Sequence, residues 1–429
     1  MSVIPTATTP IGMLGPQEWI DLPSTQQVFQ ALQAQGSEVR FVGGCVRDSL
    51  SKRAVVDIDI ATPDQPETVM TLLESAGIKV IPTGIKHGTV TAIVDGRTFE
   101  ITTLRRDVET DGRYARVVFT DDWVEDAKRR DFTINSMSAN LDGDVYDPFS
   151  GISDLAHGYI RFVGLAQERV EEDVLRILRY FRFFGTHGRP PADRHALAAC
   201  RVSGEKLTTL SGERICSEFR KILMCPDPAS VCLMMRSEHV LKYVLPEATD
   251  IGRLRVLSWL ETRAFSSDHI QPDWIRRLVS ILDATPDQTK AISQQLRLSN
   301  SETKQLLTLC QPDQVTPYMT EREEIITLRK YGAERTRDLI LLRWAAEGAI
   351  NPNLSSDYKQ GWINFLERCD NWLRPELPVG GKDVQQFGIP EGSLVGDILT
   401  QLEQWWEAES CKPTREDCLE KLRQLVREV

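Results

Sequence analysis

The chain has 429 residues, 41% hydrophobic and 26% charged, the proportions of an ordinary soluble protein and a length that calls for two or more domains. A net charge of −11 argues against wholesale coating of nucleic acid and leaves room for a local basic groove. No apolar run approaches bilayer-spanning length, nine scattered cysteines never fall as Cys-x-x-Cys, and six dispersed histidines give neither zinc spacing nor a His-Asp metal-hydrolase pair.

Residues 1–22 read as a flexible leader with no basic region ahead of an apolar core. Reduced thiols imply a cytoplasmic protein. From Asp21 to Gly36 the spacing of Val28 and Leu32 predicts a helix closed by glycine. A short strand, Glu38 to Val42, enters Gly43-Gly44, where backbone amides can approach a triphosphate closely. Val46 to Leu50 begins a helix that sets Arg47 near that phosphate; the alternative for Arg47-Asp48 is a surface ion pair. In Val55 to Ile60 the apolar Val56, Ile58 and Ile60 alternate with Asp57 and Asp59, so a strand presents both carboxylates on one face. Hard carboxylate oxygens suit Mg²⁺, which takes one or two of them plus substrate phosphates. After an amphipathic helix over Pro66 to Gly77, Asp95-Gly96 predicts a hairpin turn. Its second strand carries Glu100, either the third member of a carboxylate trio with Asp57 and Asp59 or a solvated strand residue.

The charged stretch from Arg105 to Thr120, with Arg105, Arg106, Asp107, Asp111 and Arg113, reads as a mobile loop beside the phosphate site or as a solvated turn. Trp123 to Asn140 has a helical pattern that puts Asp131 and Asn135 one turn apart, with Arg129 and Arg130 just ahead. A short hairpin ends the α/β portion near Gly151, and the chain is helical from there. Val170 to His187 reads as one helix with Val174, Leu175, Leu178, Phe181 and Phe184 as its apolar positions. Asp173, Arg176, Arg179 and Arg182 recur every three residues on it, either as a surface salt-bridge row or, with Tyr180 and Phe183, as an RNA or nucleotide surface. Asn351 to Ser356 is the clearest linker.

Two metals on Asp57 and Asp59, with Glu100 possible as a third ligand, predict nucleotidyl transfer, in which a ribose 3′-hydroxyl attacks the α-phosphate of a nucleoside triphosphate and pyrophosphate leaves. The spacing does not say which nucleotide. Asp173 beside Arg176 offers one acceptor and one donor to a base edge. Cytosine and adenine match that pair, whereas uracil and guanine present the reverse.

The set FVGGCVRDSL, DID, EITTLRRDVETDGR, RRDFTIN, YDPFSGISDL, EEDVLRILRYFRF and SGERICSEFRKIL resembles the class II tRNA nucleotidyltransferases, the CCA-adding enzymes of the poly(A) polymerase-like superfamily. The resemblance implies an α+β fold, a polymerase-β-like head with a five-stranded mixed sheet followed by an all-α neck, body and tail. On this chain it implies a head over 23–157, a neck over 158–225, a body over 226–356 and a tail over 357–429 that binds tRNA, in which Val379 to Glu409 are the more loosely similar part. It also implies that Asp57 and Asp59 hold the metal, Arg130 and Asp131 meet ribose and triphosphate, Asp173 and Arg176 form the template for C and A, and Arg105 to Arg113 form the loop used in switching between them. The expected partners are the tRNA 3′ end, CTP and ATP, with Mg²⁺ as cofactor. The alternatives are an A-adding specialist, a poly(A) polymerase, and a non-catalytic RNA-binding protein on the same scaffold.

Overall fold

Period-two alternation of apolar residues through the first 150 positions produces a mixed sheet. Its strands are β1 (Gly12–Met13), β2 (Arg40–Val42), β3 (Ile58–Thr62), β4 (Lys79–Gly84), β5 (Thr89–Val94) and β6 (Arg97–Thr103), joined by β9 (Ser138–Ala139) and β10 (Asp144–Tyr146). A separate ribbon pairs β7 (Arg105–Asp111) with β8 (Tyr114–Phe119). The computed structural model describes residues 9–111, 114–264, 270–310 and 315–427, with the backbone alone at 107–111 and 114–116. It forms two units, Met1–Pro246 and Glu247–Val429.

In the first unit the sheet order is β1-β10-β9-β2-β3-β6-β5-β4. The expected five strands are β2 to β6, and β9, β10 and β1 extend that sheet at the β2 edge. Among the described strands only β3 and β6 run parallel, with Asp59 opposite Glu100. Ile58, Ile60, Phe99 and Ile101 point into a core closed by Val28, Phe29 and Leu32 of helix Pro23–Leu32 and by Val69 and Leu73 of helix Pro66–Ser75. This leaves Asp59 and Glu100 on the opposite face. At the Asp95-Gly96 turn both residues take positive φ, 51° and 75°, as a two-residue hairpin requires.

Several expectations need correction. The leader ends early: Gly12 and Met13 pair with Val145 and Asp144, and Leu14 and Ile20 are buried, because burial of those two side chains favours ordering the segment over leaving it solvated. Where a loop was expected, Arg105–Asp111 and Tyr114–Phe119 pair as a β-ribbon, and Leu104 ties the ribbon base to Thr62 and Thr120 through backbone hydrogen bonds of 2.8 and 2.9 Å. The helix from Trp123 ends at Lys128 and is followed by a single 3-10 turn, Thr133–Asn135. There the Asp131 carboxylate takes the Phe132 N–H at 2.9 Å, a local bond that competes with helix continuation. The helix through Asp173 is two helices, Ala166–Glu172 and Arg176–His187, with Asp173 extended at φ −147° and accepting from the Leu175 N–H at 3.1 Å. Val56, expected on the apolar side of the aspartate strand, precedes β3 and is 86% exposed.

Rings of Phe132, Phe162, Tyr180 and Phe183 pack with centroids 4.7 to 6.3 Å apart. They fix helix Arg176–His187 to the segment that carries Asp131.

The second unit is helical. Helix Glu321–Ile350 is interrupted at Gly332, where φ is 78°. Residues Val379 to Leu425 enclose a small core around Ile398, Leu402, Trp406, Cys418 and Leu422. Deep in this unit Glu261 accepts from Arg276 at 2.6 Å and from Arg277 at 2.7 Å, and Arg276 reaches Asp338 at 2.5 Å, all nearly inaccessible to solvent. Glu261→Ala leaves two buried guanidinium groups short of their counter-charge and is expected to cost about 3–5 kcal/mol of stability. Denaturant titration measures this; a loss below about 1 kcal/mol, the range of exposed pairs, would contradict the buried network.

Candidate active site

Strand β2 delivers the chain to Gly43, whose backbone (φ 73°, ψ −118°) is closed to residues with a side chain. A Cβ there would also stand 3.0 Å from Arg130 Nη1. Helix Gly44–Leu50 starts at this turn, and Gly43 and Gly44 line a cavity of about 650 Å³. Gly43→Ala is therefore expected to introduce about 1–2 kcal/mol of strain and to lower kcat/KM for nucleotide on the order of tenfold. Unchanged steady-state kinetics would contradict the phosphate-turn assignment.

Gly43, Gly44, Arg47, Asp57, Asp59, Arg130, Asp131, Asn135, Asp173, Arg176, Arg179 and Arg182 all line this cavity. Glu100 does not. It is exposed on the neighbouring strand, opposite Asp59 in register. Arg105 donates to the His87 carbonyl and Arg106 is exposed. Asp107 and Asp111 lie in β7, described by backbone alone, and Arg113 lies outside the described residues.

Sequence reasoning passed over Arg214 as a site residue, and did not carry Arg129, Leu175 and Phe183 into the site; all four line the cavity. The signal for Arg214 was an acid, Asp173, whose carboxylate needed a partner. Arg214 Nη2 donates to both Asp173 oxygens, at 3.0 and 2.9 Å.

Seven arginines and four aspartates face the cavity, a balance that suits a triphosphate. Arg47 forms the ion pair with Asp48 and also lines the cavity. Its Nε and Nη2 donate to Asp48 at 2.9 Å while Nη1 donates to Asn135 Oδ1 at 2.6 Å. Asn135 in turn donates to Asp131 Oδ1 at 2.9 Å, and Arg179 Nε donates to Asp131 Oδ2 at 2.6 Å. Asp131 and Asn135 thus meet without the helix that was expected to join them. Burial alone would raise the Asp131 carboxyl, but Arg179 and the Asn135 hydrogen bond prevail and hold it below the usual carboxylate range. It is a fixed anion. Arg176 donates to Glu172 and, at 3.1 Å each, to the carbonyls of Arg129 and Arg169.

Asp59 behaves in the opposite way. Burial first, then the negative charges of Glu100 and Asp57, push its carboxyl up to about 6 against the pull of Arg130 and Arg47. A divalent cation would reverse that imbalance. Asp57 and Asp59 are a two-carboxylate donor set of the kind Mg²⁺ accepts when substrate phosphates complete its shell; among the described residues no cluster of three His, Cys, Asp or Glu could hold a metal by itself.

A larger cavity, about 810 Å³, adjoins Phe149, Phe162, Leu165 and Val202. Its lining lacks the aspartate pair and the glycine turn.

Residues 39–161 match the family described as "Poly A polymerase head domain", and residues 193–251 match "Probable RNA and SrmB- binding site of polymerase A". The zebrafish (Danio rerio) "CCA tRNA nucleotidyltransferase 1, mitochondrial" is 33% identical over 413 residues, covering 93% of this chain and 89% of that protein. The "CCA-adding enzyme" of Lactococcus lactis subsp. lactis (strain IL1403) is 30% identical over 395 residues, covering 91% and 93%. The crystal structure of the Bacillus stearothermophilus CCA-adding enzyme in complex with CTP superimposes with a TM-score of 0.73 at 25% identity, covering 95% of this chain and 98% of that one.

Proposed function

The chain belongs to the CCA tRNA nucleotidyltransferase family, the CCA-adding enzymes, and from that premise we propose that it adds C, C and A, from CTP and ATP, to the 3′ end of tRNA. The observation that carries this reading is the one cavity that unites Asp57 and Asp59 with the Gly43-Gly44 turn and with Asp173 and Arg176.

The residues divide the work. Gly43 and Gly44 with Arg47 receive the triphosphate, and Arg130 with the Asp131–Asn135–Arg179 network fixes the ribose and phosphates. Asp57 and Asp59 hold Mg²⁺, which when bound lowers the pKa of the attacking 3′-hydroxyl and neutralises charge on the departing pyrophosphate. The rest is positioning by preorganised charge. Asp173 and Arg176 read the base edge, with Arg214 orienting the carboxylate. The β7–β8 ribbon is the element that adjusts between C and A. Residues 23–157 form the catalytic head, 158–225 the neck, 226–356 the body and 357–429 the tRNA-binding tail. No helix among the described residues is long and apolar enough to cross a membrane, and the free cysteines fit the reducing cytoplasm.

The test offers purified protein tRNA transcripts ending before, within and one residue short of CCA, each with a single nucleoside triphosphate. CTP is expected to extend the first two, ATP only the last, and EDTA to stop both. Homopolymeric A on any RNA would favour a poly(A) polymerase, and activity confined to the last substrate an A-adding specialist.

A further inference from the structure

Beyond the nucleotide cavity the first unit carries cations for which the chemistry above has no use. The wall made by Arg47, Arg182 and Phe183 also borders a second cavity, about 320 Å³, which reaches Arg53, Thr186 and Lys221. Arg53 and Thr186 border a third, about 440 Å³, which extends to Arg189. Arg182 and Thr186 lie one turn apart on helix Arg176–His187, and Arg189 follows just past its end; Thr186 and His187 line both the second and the third cavity, so the three cavities adjoin along the end of that helix.

The track is positive although the chain as a whole is acidic. Arg182 and Lys221 share one carboxylate, Glu218, at 3.0 and 3.7 Å, and Arg47 holds Asp48. Arg53 donates to the Thr186 carbonyl and has no carboxylate partner among the described residues. His187 senses the same field: burial first, then Arg47, Arg53 and Arg182, push its imidazole down to about 3, so it stays neutral. The track also leads to the reacting atoms. Ala54 lines the second cavity and Asp57 the first, three residues later, with the exposed side chain of Val56 between them.

One reactant, the triphosphate, already has seven arginines in the first cavity. The other is a polyanion whose terminal hydroxyl has to reach Asp57 and Asp59. We propose that the track from Arg182 through Arg53 and Lys221 to Arg189 binds the phosphodiester backbone of the single-stranded 3′ end of the acceptor RNA, with Val56 against its terminal nucleoside. The inference rests on the function proposed above. Single-stranded RNA binds in this manner on cationic grooves with apolar contacts to its bases.

The experiment compares wild type with Arg53→Ala, Arg53→Glu and Lys221→Glu in the full-length protein, on a tRNA transcript ending before CCA. KM for tRNA is expected to rise on the order of tenfold for each charge reversal, while KM for CTP at saturating tRNA holds. The salt dependence of tRNA binding is expected to flatten by about 0.7 in log–log slope for each phosphate that the variant leaves unneutralised. A transcript with a neutral methylphosphonate at its last linkage is expected to weaken wild type and to add no further loss in Arg53→Ala. A raised KM for CTP with unchanged tRNA KM would give the track to the triphosphate or pyrophosphate and overturn the proposal, as would no change in either. Wild type that fails to extend tRNA would instead overturn the functional reading.

Discussion

Asp59→Asn is expected to abolish nucleotide incorporation, a loss on the order of a thousandfold or more, while making the metal-free protein more stable. The amide keeps the shape of the carboxylate and removes the charge on which the proposed metal site depends. In the folded chain Asp59 ionises near 6 instead of the ordinary 3.8, because of burial, Glu100 and Asp57. A folded-state value above the unfolded one means that ionisation opposes folding. In EDTA, wild-type stability should therefore decline as pH rises from about 4 through about 6, and Asp59→Asn should lack that decline. Asp57 is exposed, so Asp57→Ala should lose incorporation equally without a comparable gain in stability. Filter binding should find tRNA affinity intact in both variants. Retained turnover in either would remove the metal assignment.

Replacing Asp173 or Arg176 by Ala is expected to relax the choice against UTP and GTP by roughly ten- to hundredfold, the worth of one mispaired buried group. Asp173 owes its position to an extended backbone between two helices and to a two-oxygen contact with Arg214. Arg214→Ala should thus shift selectivity in the same direction through the freed carboxylate, with less effect on kcat for a correct nucleotide than Asp59→Asn. Competition between CTP and UTP on one transcript measures the ratio. Selectivity that does not move in either the Asp173 or the Arg176 variant would place base recognition elsewhere.

The sequence was most legible where local chemistry and tertiary need agreed. Gly43 could be read because its backbone conformation demands glycine, and Asp59 because period-two alternation leaves it across the sheet from Ile58 and Ile60. It was least legible where a side chain bonds its own backbone. Asp131 and Asp173 each take a nearby N–H and end a helical pattern that the apolar spacing continues. The residues still converge, since Arg179 and Arg214 reach them from distant parts of the chain. The β7–β8 ribbon was hidden by its charge, although Asp111-Gly112 carried the same turn signal used at Asp95-Gly96. Arg214 was missed because a partner 41 residues away leaves no trace in spacing.

The most direct measurement sequences the 3′ ends that wild-type protein makes on a tRNA transcript lacking CCA, with all four nucleoside triphosphates present at equal concentration. Products that end in CCA and stop there are expected. Runs of A, or ends carrying U and G in proportion to supply, would contradict CCA addition by this chain.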